Sequence, residues 1–478
     1  MSKTVLHDGD EGVTLIVRDA KGKRSKKAPK PELPARQPVH VVYGGGHLFK
    51  AGTPDKLGRI ALESLAKFAS GADGLARAMH LPGSELLPTS KKRAAEMERA
   101  WEQDPDSLKA ENHNAWLACS VYHRTKAKLE TEPVEDIRID FEDGYGFRPD
   151  TEEDEHAVTA ALELSSAFRD DKLPFMSGFR VKSYAGQTRK RANRTLHIFF
   201  ETFLDSTGGK LPQNFVVNLP KVTDKKEVEQ FCRDLKKIEK KAALKEGSIR
   251  IEIMVEHPLA LFDGKGGSAL RGIAEAARGR CIAAHFGAYD YTAVLGIAAS
   301  YQDITHPACD FARQMMLAAL SPLGIRLSDS VTTQMPVAVH KGDDLTESQQ
   351  AENSASVHFG WRTHFSNVRR SMANGFYQSW DLHPNQLVAR YAAVYSFFLE
   401  SAAAQGSRLR GFLDKATQAT LTGNEFDDAA SAMGIVNFFR QGLDCGAFIE
   451  AEIENAAGIS AADLRSLSFA KFSAKADS

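Results

Sequence analysis

Cysteine is scarce and scattered in this chain of 478 residues: Cys119, Cys232, Cys281, Cys309 and Cys445 share no CxxC spacing. That excludes a disulfide framework and a cysteine-based metal site, and it suits a reducing compartment. No run of about 18 apolar residues occurs. The start, MSKTVLHDGDEGVTL, has no basic stretch leading into an apolar one. Neither a membrane span nor a secretory leader is expected, and the reading is a cytoplasmic protein. There is no excess of either charge: 61 Lys and Arg face 62 Asp and Glu, a formal net charge of −1. No broad field therefore gathers nucleic acid or anionic membrane. No Lys-Ser/Thr follows the Gly44-Gly45-Gly46 run at phosphate-loop spacing, so CoA binding has no local signature.

What is present is ample apolar material, 42% of the residues, arranged in alternating periods. Residues 1–38, with AKGKRSKKAPKPELPARQP, mix cations with prolines and are expected to be a mobile extension. Order is expected from VHVVYG (39–44). Residues 54–131 then have helical spacing, with Leu57, Ile60, Ala61, Leu65 and Phe68 on one face. Short apolar strands follow at 137–143, 177–183, 214–222, 249–256, 281–290, 331–340 and 375–384, separated by helical stretches. Eight strands rich in Val and Ile, apolar on both faces and alternating with helices, predict a parallel (β/α)8 barrel over 39–390. The helical segment 54–131 is an insertion after strand 1, and 391–478 is a helical C-terminal extension that caps the barrel or mediates oligomer contact.

Barrel active sites are assembled at the C-terminal ends of the strands. In this chain those ends carry Asp140, Glu142 and Asp143; Arg180 and Lys182; Lys221; Glu256 and His257; Gly287, Ala288 and Asp290; and Asp381 and His383. At the opposite ends only Arg138 and Arg250 stand out. Polar residues are thus expected to be segregated to one mouth.

The ordered set DFEDGYG, FRVKS, LPKV, MVEHP, HFGAYDYT and WDLHPNQL resembles the HpcH/HpaI aldolase and citrate lyase β-subunit family, among the phosphoenolpyruvate/pyruvate-binding barrels. The resemblance spans roughly 39–390. It implies that Glu256 and Asp290 are the protein ligands of Mg²⁺ or Mn²⁺, a hard ion that takes carboxylate oxygens and leaves positions for water and substrate. It implies that Arg180 holds a substrate carboxylate or steadies an enolate oxygen through its planar fork. It also implies that the Gly287–Ala288 turn cradles a carboxylate with backbone N–H groups; a plain tight turn is the equal alternative.

Glu142 and Asp143 then hold metal-bound waters or orient Arg180. Asp143 lies near the place where HpaI-type aldolases carry a general-base His, so it is the candidate proton carrier. Asp140, earlier on the strand, reads as structural. Lys221 neutralises substrate charge or pairs with Glu142, and His383 shapes the closing strand or meets substrate.

The implied activity is metal-dependent carbon–carbon bond cleavage, or aldol addition in reverse, on a 2-oxo acid or an acyl-CoA carboxylate through a stabilised enolate. Two alternatives stand beside it: hydrolysis of a malyl-CoA-like thioester at the same metal, and non-catalytic binding of phosphoenolpyruvate or an oxo acid. The partners expected are a small carboxylate and further copies of the chain, with neither nucleic acid nor membrane.

Overall fold

Strand alternation decides which side chains enter the barrel. The computed structural model describes residues 30–414, 420–422, 425–427 and 429–467. Its strands are β1 (His40–Gly45), β2 (Asp136–Asp140), β3 (Met176–Arg180), β4 (Phe215–Leu219), β5 (Arg250–Val255), β6 (Cys281–Phe286), β7 (Arg326–Val331) and β8 (Gln378–Asp381). They pair in sequence order, all parallel, and β8 closes on β1. This is the (β/α)8 barrel expected.

Five helices, from Thr53–Phe68 to His113–Thr131, form the insertion between β1 and β2. The seventh strand lies earlier than 331–340. RLSDSV is half polar and so is poorly visible as a strand, whereas VTTQMPVAVH contains Pro336 and is irregular.

Outside the barrel, β3 and β4 meet the crossover helix Thr188–Ser206 through a phenylalanine cluster. Phe179 stacks on Phe199 with ring centroids 4.1 Å apart, and Phe203 stacks on Phe215 at 5.8 Å. Full burial of each ring contributes about 1.5–3 kcal/mol.

The inside departs from expectation, because the strands are not apolar on both faces. Arg138 reaches across the lumen from β2 to Glu252 on β5 (2.9 Å) and pairs with Asp136. Glu252 also meets His285 Nε2 at 3.0 Å, and Trp380 Nε1 donates to His285 Nδ1 at 2.9 Å. An indole N–H can only donate, so Nδ1 carries the lone pair and Nε2 the hydrogen. Burial alone would raise the Glu252 carboxyl, but Arg138 and His285 pull it down to about 2. Polar residues therefore fill the middle of the lumen and are not confined to one mouth.

Below this layer Met176, Val216 and Ile282 form an apolar plug, against which Leu33 packs. Leu33 belongs to the stretch expected to be mobile. Within it, Gln37 donates to the Leu327 carbonyl (3.0 Å), and Arg326 donates to that of Pro34 (3.0 Å). Residues 30–38 thus belong to the barrel floor; the rest of the expected extension, 1–29, lies outside the described residues.

The β1–β8 seam is tied by Asp381, whose side chain points away from the lumen. It accepts from His40 Nδ1 (2.7 Å), His364 Nε2 (2.7 Å) and Arg390 Nη2 (2.7 Å), all buried.

The chain divides into two compact units, Pro29–Ala393 and a second that contains Val394–Ser478. The second is helical, with helices Ala429–Asp444, Glu450–Ala457 and Ala461–Ser466 around a cluster of Phe398, Phe438 and Phe448. Among the described residues no helix is long and apolar enough to cross a membrane, and all five cysteines are free.

The seam carries a pH signature. Burial lowers the imidazole pKa of His364 below its ordinary 6.5, so the unfolded chain takes up that proton first. The stability this gives is present above about pH 6.5 and erodes as the pH falls below it. We expect the melting temperature to drop between pH 7 and 5, and to drop less in His364→Gln, which retains a donor to Asp381 but cannot titrate. Equal slopes in the two proteins would remove His364 as the source.

Candidate functional site

The loop after β2 starts from a fixed carboxylate. Asp140 grips Arg180 with both oxygens, at 2.7 Å from Nε and 2.6 Å from Nη2. It also accepts from the backbone N–H groups of Glu142 (3.0 Å) and Gly144 (2.8 Å). A Cβ at Gly144 would lie 2.7 Å from Asp140 Oδ2, so the tight turn requires glycine. From the other side Lys182 Nζ donates to the carbonyls of Phe141 (2.7 Å) and Gly146 (3.2 Å) and pairs with Glu153 (2.8 Å). Lys182 therefore braces the loop that presents Glu142 and Asp143.

Arg180 lies over an aromatic pair. Its guanidinium carbon is 5.0 Å from the Tyr43 ring centroid and 5.5 Å from that of Trp380, and the two rings stack at 3.9 Å. Asp140 uses the Nε/Nη2 side of the fork. The remaining nitrogen, Nη1, touches Glu142 Oε2 at 3.2 Å and Met254 Sδ at 3.5 Å. A substrate anion could take Nη1 by displacing Glu142.

Glu256 follows β5 and is 3% exposed. Oε2 accepts from the backbone N–H of Lys221 at 2.8 Å, and the side chain presses on Gly287, where a Cβ would lie 2.4 Å from Cγ. Burial, with the nearby Asp290 and Glu142 carboxylates, pushes its carboxyl up to about 8. Asp290 lies in the first turn of helix Ala288–Val294. Two mutually repelling carboxylates at adjacent strand ends, one of them deeply buried, match the donor set of a hard divalent ion. Among the described residues no group of three or more His, Cys, Asp or Glu converges to hold a metal, so water and substrate oxygens would complete any such ion's shell.

Arg180, Asp143, Glu256, Gly287, Ala288 and Asp290 all line one cavity of about 350 Å³. Its wall also includes Tyr43, Met254, Tyr289, Ser330, Val331 and Trp380, which the sequence reading did not place in the site. Strand alternation was the available signal for Trp380: Gln378 and Trp380 face the lumen, so Asp381 faces outward.

Two expectations are corrected. The N–H of Gly287 already donates to the Val255 carbonyl (3.0 Å) and that of Ala288 to Ser330 Oγ (3.1 Å), so this turn offers no vacant carboxylate cradle. His383 lines a separate cavity of about 120 Å³ with Val42, Leu57 and Leu387, and its Nδ1 accepts from the Asn385 N–H; it serves the helix start rather than the substrate. Of the two roles expected for Lys221 the structure shows the pairing with Glu142: the ammonium is held by Glu142 Oε1 (3.1 Å), and also by Asp143 Oδ2 (3.0 Å) and Asp290 Oδ1 (3.4 Å).

The two candidate proton carriers differ in their surroundings. Burial raises the Glu142 carboxyl to about 7, with Arg180 opposing and Asp143 adding. Asp143 is held below the usual carboxylate range: burial opposes this, but its side-chain hydrogen bonds with Glu142 and with the Lys221 ammonium outweigh it. Asp143 lines the cavity, and Glu142 contacts Arg180 beside it.

The family model described as "Domain of unknown function (DUF6986)" matches residues 18–472, and the chain belongs to that family. No curated protein matches it. Among solved structures it is similar to a citrate lyase from Burkholderia xenovorans LB400 (15% identity, TM-score 0.50), over 90% of this chain and 98% of that one. It is also similar to a malate synthase from Haloferax volcanii (17% identity, TM-score 0.40), over 54% of this chain and 64% of that one. The first likeness shows a shared fold.

Two of the three carboxylates of the DFED segment, Asp140 and Asp143, should differ in energetic weight. Asp140→Asn leaves the buried Arg180 without its partner, a loss of about 3–5 kcal/mol. Asp143→Asn, at a half-exposed pair, should cost no more than about 1 kcal/mol. Urea unfolding of the two variants measures the difference, and comparable losses would contradict the assignment.

Proposed function

We propose that this member of the DUF6986 family is a metal-dependent carbon–carbon lyase, or aldolase in reverse, acting on a 2-oxo acid with a hydroxyl two carbons beyond the keto group. One juxtaposition supports the reading: the anion-binding nitrogen of Arg180 and the carboxylates of Glu256 and Asp290 line the same cavity. A cavity of this volume suits a ligand of a few carbons rather than an extended cofactor.

In this reading Glu256 and Asp290 would hold Mg²⁺ or Mn²⁺, which would supply Lewis-acid stabilisation of the oxyanion. Arg180 receives the substrate carboxylate on Nη1, kept in place by Asp140 and by the Tyr43–Trp380 stack behind it. As Glu142 yields Nη1, its carboxylate takes the proton of the substrate hydroxyl. The C–C bond then breaks, giving an aldehyde and the enolate of the oxo acid, and Glu142 returns that proton to the enolate carbon. Tyr289, Val331 and Met254 line the cavity and limit water around the enolate.

The experiment is a panel assay with Mg²⁺, offering 4-hydroxy-2-oxo acids and malyl-type thioesters and monitoring pyruvate, aldehyde, glyoxylate and free thiol. Pyruvate with an aldehyde is the expected result. Free thiol without a carbonyl product would favour thioester hydrolysis, and binding without turnover would favour a sensor. Glu256→Gln and Asp290→Asn should each abolish metal-dependent turnover; full activity in either would remove the metal from the reading. Arg180→Lys should raise KM and lower kcat, with kcat/KM falling about 10- to 100-fold, the scale of one charge-assisted hydrogen bond. An unchanged kcat/KM would leave Arg180 a structural role alone.

A further inference from the structure

Lys221 makes contacts that neither the barrel fold nor the lyase reading requires. Its backbone lies in the left-handed region (φ 51°), a conformation that residues with a Cβ rarely adopt. That conformation points the two ends of the residue at four carboxylates. The N–H donates to Glu256 Oε2 (2.8 Å), while the ammonium lies 3.1 Å from Glu142, 3.0 Å from Asp143 and 3.4 Å from Asp290. These acids follow three different strands, β2, β5 and β6, and Lys221 follows a fourth, β4. Arg180 is held by Asp140 on one side and meets Glu142 on the other (3.2 Å), so Lys221 is the mobile positive charge that reaches Asp143 and Asp290 as well. The Lys221 side chain is about a third exposed (32%), and its four-carbon stem can swing away while the backbone contact to Glu256 stays in place.

We propose that Lys221 is a tethered counter-ion that occupies the acidic mouth in competition with the divalent ion, leaving Asp290 when that ion is taken up. The inference rests on the metal reading above and makes Lys221 a positioning residue that sets how tightly the ion is held. Two cations a few ångströms apart repel strongly even at an effective dielectric constant near 20. Removing the ammonium should therefore tighten divalent binding, whereas a merely structural lysine would loosen it when lost.

The test is Mn²⁺ titration of the full chain, followed by electron paramagnetic resonance, on wild type, Lys221→Met and Lys221→Arg. The melting temperature of each is recorded with and without Mn²⁺. Lys221→Met should bind Mn²⁺ about tenfold more tightly or better, with a larger Mn²⁺-induced rise in melting temperature, and Lys221→Arg should resemble wild type. Equal or weaker binding by a folded Lys221→Met, or equal tightening by both variants, would overturn the proposal. An unfolded Lys221→Met that Mn²⁺ does not restore would overturn it too. Absence of Mn²⁺ binding in all three proteins would instead reject the metal reading itself, and this inference with it. Binding by Lys221→Met alone would support the competition directly.

Discussion

Everything at the mouth of this barrel is arranged around the two-point grip of Asp140 on Arg180. A guanidinium buried to 3% exposure is tolerable only beside an anion that matches its fork, and Asp140 supplies both oxygens. The same carboxylate accepts two loop N–H groups, so one side chain fixes the direction of the arginine and the path of the chain through 141–144. With that side of the fork occupied, one nitrogen is left to meet a ligand, and Glu142 occupies it in the meantime. The part of the guanidinium that Asp140 does not hold is thereby narrowed to one nitrogen, which faces Glu142 and Met254.

Support for this grip comes from below rather than from the rim. Arg180 rests on stacked Tyr43 and Trp380, Trp380 is oriented by its bond to His285, and His285 is held by Glu252 and Arg138. Each group fixes the hydrogen-bonding direction of the one above it. Such a column explains why charged residues occupy the barrel interior, where volume alone would be served as well by Val and Ile. A hydrogen-bonded polar layer sets geometry in a way that interchangeable aliphatic side chains do not.

The architecture was legible because it is written in periodicity: Val- and Ile-rich strands between amphipathic helices. The residues of the site were legible as a set, since Asp140, Glu142, Arg180, Glu256 and Asp290 all lie at the C-terminal ends of strands or in the few residues that follow them. Their pairings were not. Whether Asp140 or Glu142 takes Arg180 depends on side-chain direction, which a one-residue step along a strand reverses. Strand β7 was misplaced because lumen-facing Ser328 and Ser330 made it look like a loop, and the interior network was missed for the same reason, polar residues being read as rim. The prolines and cations of segment 30–38 suggest solvation, yet Leu33 packs on the barrel floor, with Gln37 and the Pro34 carbonyl hydrogen-bonded beside it. Composition averages over such an anchor, whereas packing depends on it.

That leucine has a consequence for traffic through the molecule. With Met176, Val216, Ile282 and Leu33 packed at the lower end and the charged column filling the middle, the cavity above them is a cul-de-sac. If the proposed cleavage takes place there, one fragment would lie deeper than the other and both would depart through the same doorway. In that reading the outer fragment would go first and the one clasped by Arg180 last, so release would be ordered by the shape of the vessel before any difference in affinity is considered.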